Sequence, residues 1–264
     1  MIRILKLSRS ALLGLALFAA STVTASAAII QLGFALDSSG SVSSSNYALQ
    51  TAGLAAALAG IPTDSTVEVT VIDFGSSVTS HVTTVLVDSV ATRDAIVNTV
   101  SSMAKGGGST SMAAAITDLT AKLTGSANFA GNDSIINIST DGAPNSSIAT
   151  TTAALAALAA GIDALTSEAI GAGANTNFLA SIVFNPQGGL GTGVVLPTDS
   201  NPPNPLTSAA AWVVPVSDFD AYAEVIGSKV SIITDDTTDI PVPGTLLLLG
   251  LGLLGLRVSR RAQA

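Results

Sequence analysis

Residues 29–41 read IIQLGFALDSSGS, an apolar run that ends in an aspartate and a group of serines. The first eight residues are almost all apolar, which is typical of a strand buried on both faces of a parallel sheet. Polar residues begin where this strand ends, and open α/β sheets bind ligands beyond the carboxyl ends of their strands. The stretch therefore predicts a fold class and the place of a binding site.

The rest of the chain alternates between strand and helix patterns. Further strands are predicted over 67–74, 78–87, 134–138, 164–170 and 212–216, and helices over 47–61, 91–103, 112–123, 148–160 and 219–232. Such alternation predicts an α/β fold with three layers, a doubly wound, mostly parallel central sheet with helices on both faces. The β-branched segment 78–87 is predicted as an edge strand. The Gly- and Pro-rich segment 185–210 interrupts the pattern and is predicted to be a surface insertion without an assigned role.

The amino terminus is typical of a secretory signal peptide over residues 1–28. Three basic residues precede an apolar run at 11–20, and the small residues Thr24 to Ala28 fit an A-x-A cleavage site. The organised body of the chain is then expected to be one domain at 29–234, exported across a membrane.

The carboxyl terminus, 235–264, is predicted to be a linker followed by a tail. Ile240-Pro241-Val242-Pro243 leads into an apolar run that ends at Leu256, and three arginines follow. The apolar part is about 25 Å long as a helix, which predicts a marginal transmembrane segment. This tail resembles the PEP-CTERM sorting signal of Gram-negative bacteria, with Val242 in place of the central glutamate. The resemblance implies membrane anchoring, then processing by an exosortase and release to the cell surface or extracellular matrix.

Composition excludes several classes of function. The chain has no cysteine, so disulfides, thiolate metal sites and cysteine nucleophiles are excluded. Three of its ten basic residues lie in the first ten positions and three in the last eight, so four remain against all eighteen acidic residues. The formal charge of this central body is therefore −14, which disfavours nucleic acid as a partner and favours divalent cations.

Three polar segments are predicted to meet at one rim of the sheet. Asp37-Ser38-Ser39-Gly40-Ser41 follows the first strand, Gly106 to Thr110 precedes a helix, and Ser139-Thr140-Asp141-Gly142 follows the strand at 134–138. Asp37 and Asp141 supply carboxylates and Ser39, Ser41 and Thr110 supply hydroxyls, which are ligands that a hard cation such as Mg²⁺ prefers. Two carboxylates only balance a divalent charge, so the ion would accept a further carboxylate from outside.

These segments resemble the metal-ion-dependent adhesion site of von Willebrand factor A domains. The resemblance covers about 29–234 and implies the ligand set Asp37, Ser39, Ser41, Thr110 and Asp141. The family spacing to Ile116 favours Thr110 over its neighbour Ser109. The resemblance further implies Mg²⁺ as the ion, with Mn²⁺ or Ca²⁺ as alternatives, and a protein ligand that offers an Asp or Glu carboxylate.

The leading prediction is a non-enzymatic, metal-dependent binding protein. The alternative is a structural matrix protein in which the metal only stabilises the domain, and a metal hydrolase is the third hypothesis. The only histidine, His81, is expected to be an exposed strand residue, and Asp73 a solvated strand end. Trp212 is expected to pack in the core or against a loop.

Overall fold

The computed structural model describes residues 28–235. The strands are β1 (Ile30–Asp37), β2 (Val67–Phe74), β3 (Val78–Leu86), β4 (Asp133–Thr140), β5 (Ala164–Ile170), β6 (Val194–Val195) and β7 (Trp212–Val216). The helices are α1 (Ser44–Leu58), α2 (Val90–Ser101), α3 (Met112–Thr124), α4 (Ser147–Ala159), α5 (Thr176–Ile182) and α6 (Phe219–Asp235).

Over residues 28–235 the strands form one sheet in the order β3-β2-β1-β4-β5-β7-β6. Every neighbouring pair is parallel except β2 and β3, whose pairing is antiparallel. Strand β1 lies between β2 and β4, with Leu36 opposite Asp73 on one side and Ser139 on the other. The residues that follow β1 and β4 therefore emerge side by side at one edge of the sheet.

Two apolar cores separate the sheet from its helices. One core contains Leu32, Val69 and Val214 from the strands, packed against Leu54 of α1 and Ile226 of α6. The other core contains strand side chains from the opposite face of the sheet, packed against side chains of α3, α4 and α5. Because side chains alternate between the two faces of a strand, both faces are covered and the layers number three. The predicted fold class is confirmed.

Serine side chains cap the amino-terminal ends of several helices. Ser43, Ser89 and Ser146 each accept a hydrogen bond from a backbone N–H three residues later. Such caps satisfy an N–H that the helix leaves unpaired and stabilise the helix by about 1 kcal/mol. The cap at Ser43 also marks where the polar segment after β1 ends and α1 begins.

The segment 185–210 is more integrated than a surface insertion. It contributes β6, which pairs with β7 at the edge of the sheet, and its first residue, Asn185, is buried. Asn185 donates hydrogen bonds to the carbonyl oxygens of Pro205 and Ser208, so it holds the two ends of the segment together. Helix α5 just before it was not predicted from the sequence.

The expectations for Asp73 and His81 were wrong. Asp73 is 2% exposed, and the His81 side chain is 18% exposed with its Nε2 3.4 Å from Asp73 Oδ1. Trp212 lies in the core, as expected.

The predicted signal peptide before residue 28 and the tail after residue 235, including its apolar segment, lie outside the described residues. No helix between residues 28 and 235 combines the length and the hydropathy needed to cross a membrane.

Candidate metal centre

The candidate site lies at the edge of the sheet where β1 and β4 end. Asp37 is the last residue of β1, and Asp141 comes directly after β4. Because these strands are adjacent and parallel, two carboxylates separated by about a hundred residues in sequence lie at the same edge. Ser39 and Ser41 follow Asp37 in the loop that leads to α1.

Asp37 forms the buried base of the site. Asp37 is 0% exposed, and both of its carboxylate oxygens accept hydrogen bonds from the protein. Oδ1 accepts from the Ser39 backbone N–H at 2.8 Å, and Oδ2 accepts from the Thr140 hydroxyl at 2.6 Å. These two contacts fix the orientation of the carboxylate.

Hydroxyl groups connect this base to the second carboxylate. The Ser39 and Ser41 hydroxyl oxygens lie 3.1 Å apart, and the Ser41 hydroxyl donates to Asp141 Oδ1 at 2.6 Å. Ser39 is buried whereas Ser41 is exposed, so the row of oxygens runs from the interior to the solvent. The outer end of the site is therefore accessible to a ligand.

The structure directs Thr110 and Ser109 to different neighbours. A Cβ placed on Gly142 would lie 3.7 Å from the Ser41 hydroxyl oxygen and 3.9 Å from that of Thr110. Both hydroxyls thus border the glycine that follows Asp141. Ser109 instead contacts Ser76, whose hydroxyl accepts from the Ser109 backbone N–H at 3.0 Å. This arrangement agrees with the choice of Thr110, although its role as a metal ligand stays a prediction.

The glycine run at 106–108 lets the Thr110 loop lie close to the Asp37 loop. Gly40 donates its backbone N–H to the Gly108 carbonyl at 2.8 Å, and Ser76 donates to the Gly107 carbonyl at 3.0 Å. A Cβ on Gly106 would lie 2.6 Å from the Ser38 hydroxyl oxygen, and Gly108 has a φ of +84°. A larger side chain at Gly106 would push the two loops apart.

Lys105 holds the Asp37 loop from the inner side. Its ammonium group donates hydrogen bonds to the backbone carbonyls of Ser38 and Ser39, at 3.0 and 2.9 Å. The positive charge is satisfied by these carbonyls. Lys105 therefore orders the backbone that carries the serine hydroxyls.

The electrostatics of the site favour an added cation. Burial raises the pKa of Asp37, and the neighbouring Asp141 raises it further, while hydrogen bonds from Ser39 and Thr140 act in the opposite direction. Among the ion pairs formed within residues 28–235, none includes Asp37 or Asp141. A buried carboxylate without a cationic partner is costly, and a bound divalent ion would remove that cost.

The donor set fits a hard divalent ion. All five predicted ligands offer oxygen, and adjacent oxygens around octahedral Mg²⁺ are about 3 Å apart at metal–oxygen distances of about 2.1 Å. The Ser39 and Ser41 hydroxyl oxygens have this separation. No group of three His, Cys, Asp or Glu side chains suited to a metal occurs in the described part of the chain. A metal held here would depend on hydroxyls as well as on the two carboxylates.

Sequence reasoning missed a second polar cluster beside the site. Asp73, at the end of β2, accepts a hydrogen bond from the Tyr47 hydroxyl at 3.2 Å and pairs with His81. A Cβ on Gly106 would also lie 3.5 Å from Asp73 Oδ2, so the cluster borders the glycine run. Its members come from β2, α1 and β3, and no local motif joins them.

Thr140 is a further residue whose role was not predicted from the sequence. Its hydroxyl donates to Asp37, and its position directly before Asp141 was the available signal.

Comparisons with known proteins agree with this geometry. A family model described as "Protein of unknown function (DUF1194)" matches residues 27–182, which is more than half of the chain. The chain belongs to the DUF1194 family. A second model, the PEP-CTERM protein-sorting motif, matches residues 239–261 of this DUF1194 protein. The interpretation of the tail as a sorting signal is therefore confirmed, and the motif indicates an exported protein.

Solved structures show which fold this DUF1194 protein has. The pilus adhesin SpaC from Lactobacillus rhamnosus GG is 14% identical over 80% of this chain and 31% of its own, with a TM-score of 0.59. A von Willebrand factor type A protein from Catenulispora acidiphila is 14% identical over 77% of this chain and 42% of its own, with a TM-score of 0.57.

A third similar structure contains a metal. Proximal thread matrix protein 1 from the mussel byssus, with a zinc-occupied MIDAS motif, is 15% identical over 80% of this chain and 46% of its own, with a TM-score of 0.55. The chain thus spans between 31% and 46% of the length of these three proteins. The likenesses establish the von Willebrand factor A fold that the sequence predicted. A search of curated proteins found no match.

Proposed function

We propose that this exported protein holds a divalent cation through Asp37, Ser39, Ser41, Thr110 and Asp141 and uses it to bind an acidic side chain of a protein partner. The observation that carries the proposal is the chain of contacts from Asp37 through the Ser39 backbone N–H and the two serine hydroxyls to Asp141. It ends at an exposed edge of the sheet. The binding is expected to occur at the cell surface or in the extracellular matrix.

The nature of the oxygens supports Mg²⁺ as the resident ion. Carboxylate and hydroxyl oxygens are hard ligands, and a site without histidine or cysteine ligands gives softer metals no advantage. Mn²⁺ and Ca²⁺ share this preference for oxygen. The zinc-occupied motif of the mussel byssus protein supports the idea that this fold accommodates a divalent ion at such a place.

Charge balance supports an acidic ligand. Two carboxylates neutralise a divalent ion, and the three hydroxyls add no charge. Hydroxyl oxygens are also weak donors, so the ion remains electrophilic and attracts one further anionic oxygen. Ser41, at the outer edge of the site, is exposed. A carboxylate from a partner can complete the coordination at the exposed Ser41, beside the half-buried Thr110 and Asp141.

A pair of asparagine substitutions tests the metal site. Asp37→Asn keeps the shape of the side chain but removes its charge, whereas Asp94→Asn removes a 58% exposed carboxylate on α2. Addition of Mg²⁺ or Mn²⁺ should raise the melting temperature of the wild type and of Asp94→Asn, because an ion that binds only the folded state stabilises it. The shift should be absent in Asp37→Asn. Equal shifts in both variants would contradict the site assignment.

The same variants test the partner. Proteins from the host's surface fraction are captured on the immobilised protein with Mg²⁺ and then washed with chelator. Binding through the metal predicts that the captured protein is released by the chelator and is not retained by Asp37→Asn. Capture that ignores chelation would instead support a structural matrix protein in which the ion only stabilises the domain.

A further inference from the structure

A second cluster of polar residues is fully buried between the sheet and α6. Its members are Asn137 on β4, Thr166 and Glu168 on β5, and Lys229 on α6, and none is more than 1% exposed. The metal site uses none of them. The cluster therefore brings an amine, a carboxylate and a carboxamide together in a site that is closed to solvent, where these groups can react with one another.

Glu168 bridges the two nitrogens of this cluster. One of its carboxylate oxygens accepts a hydrogen bond from Lys229 Nζ at 2.9 Å, and the other accepts from Asn137 Nδ2 at 2.8 Å. Lys229 Nζ is also in direct contact with the side-chain oxygen of Asn137. The amine thus lies against the carboxamide group, and a carboxylate contacts both the attacking and the leaving nitrogen.

We propose that Lys229 and Asn137 are joined by an intramolecular isopeptide bond that forms after folding. The Lys229 Nζ lone pair attacks Asn137 Cγ, and the Cγ–Nδ2 bond then breaks. Glu168 takes a proton from Nζ and delivers a proton to Nδ2, which leaves as ammonia. The amine and the primary amide become a secondary amide and ammonia, so no oxidant, reductant or other reactant is needed.

The surroundings of Lys229 favour the neutral amine that this reaction requires. Burial lowers the pKa of Lys229, and this effect exceeds the opposite influence of Glu168. A lysine whose ammonium form is disfavoured by desolvation becomes a nucleophile. The Lys229 nitrogen lies 4.8 Å from the centre of the Trp212 ring, and Trp212 is 0% exposed. Bulk water, which would compete as a nucleophile, is therefore kept away from the carboxamide.

Thr166 is placed to stabilise the intermediate. Its hydroxyl donates to Asn137 Oδ1 at 3.2 Å. When Nζ adds to Cγ, negative charge develops on this oxygen, and a fixed donor in a dry site stabilises it. Thr166 also accepts a hydrogen bond from Lys229 Nζ at 2.6 Å, so it orients the amine toward the carboxamide.

Mass spectrometry of the folded full-length protein tests the proposal directly. Any bound metal is first removed with a chelator. Because formation of the bond releases ammonia, the measured mass should be about 17 Da below the mass calculated from the sequence. Trypsin should fail to cut after Lys229. A protease that cuts at Asp and Glu should release a branched peptide, since Asp163, Asp199 and Asp218 lie between the two joined residues. The branched peptide places the loss at Asn137 and Lys229 and excludes an end-group modification.

Two variants separate the chemistry from an ordinary ion pair. Glu168→Gln keeps the hydrogen-bonding shape but removes the proton carrier, and it should retain the full mass and an accessible Lys229. Lys122→Arg alters a half-buried ion pair with Asp118, outside this cluster, and should show the same loss of ammonia as the wild type. If Glu168→Gln does not fold, the mass and the tryptic digest of the wild-type protein still test the proposal. A folded wild-type protein with the full mass, cut by trypsin after Lys229, would overturn the proposal.

Discussion

Two buried carboxylates in this protein are balanced in different ways. Glu168 is 0% exposed and accepts hydrogen bonds from Lys229 Nζ and Asn137 Nδ2, whereas Asp37 is equally buried and has only hydroxyl and backbone N–H donors. Buried charges usually require an opposite charge, a metal or a shift toward the neutral form. Burial raises the pKa of Asp37, which reflects this cost. At Asp37 the compensating charge is best supplied from outside the chain.

Ser41→Ala isolates the contribution of one hydroxyl to the proposed metal site. The change removes an exposed donor to Asp141 and one ligand, so the affinity for Mg²⁺ should fall about tenfold, or about 1.4 kcal/mol. The free energy of unfolding without metal should change by less than about 1 kcal/mol, because the lost hydrogen bond is exposed. Titration calorimetry measures the first quantity and urea denaturation the second. Ser101→Ala, on the exposed face of α2, is the control that should leave the affinity unchanged.

The sequence predicted the candidate site better than it predicted the buried clusters. Asp37, Ser39 and Ser41 share a short motif that the sheet topology places beside Asp141, so the order of strands was enough to bring them together. Asp73 with His81 and Lys229 with Glu168 come from separate elements and leave no local pattern. Their pairing depends on which side of the sheet each side chain faces and on the register between elements. That information comes only from the three-dimensional structure.

At the scale of elements, prediction succeeded where a long apolar run had clear ends. Strands β2, β5 and β7 have the predicted bounds, and the larger helices differ from prediction by at most a few residues. Helix α5 has seven residues and β6 has two, too few for a periodic pattern to emerge. Strand β6 depends on its pairing with β7 and therefore has no signal of its own within a Gly- and Pro-rich segment.

The contact between α1 and α6 predicts opposite effects for two glycines. A Cβ on Gly53 of α1 would lie 3.0 Å from Ala223 Cα and 3.1 Å from Tyr222 Cδ1, whereas a Cβ on Gly227 of α6 would meet nothing within 4 Å. Overpacking costs about 1–3 kcal/mol and exceeds the gain of about 1 kcal/mol in helix propensity, so Gly53→Ala should lower the free energy of unfolding. Gly227→Ala should raise it by about 0.5–1 kcal/mol, because only the propensity changes. Chemical denaturation of both variants tests this, and stabilisation by Gly53→Ala would show that the two helices can separate without cost.

At the scale of the whole molecule, the two proposals together link the proposed metal site to the sorting tail through one strand and one helix. Strand β4 ends beside Asp141, and Asn137 lies four residues earlier on the same strand. Helix α6 carries Lys229 and ends at Asp235, shortly before the sorting motif at 239–261. A bond between Asn137 and Lys229 would therefore connect the edge that carries the proposed metal site to the helix that precedes the sorting motif. Tension between a bound partner and the membrane would then pass through β4 and α6 and bypass most of the intervening chain.

Mechanical unfolding should reveal this path. The proposed bond closes a loop between two residues that are 92 positions apart, so those residues cannot be extended when the ends of the chain are pulled. The fully unfolded contour length of the wild type should be about 300 Å shorter than that of Glu168→Gln, at about 3.4 Å per residue. Single-molecule force spectroscopy of the two proteins with the same terminal handles measures the difference. Equal contour lengths would mean that no covalent bond joins Asn137 to Lys229. Only non-covalent contacts along α6 would then resist the pulling force between the proposed metal site and the tail.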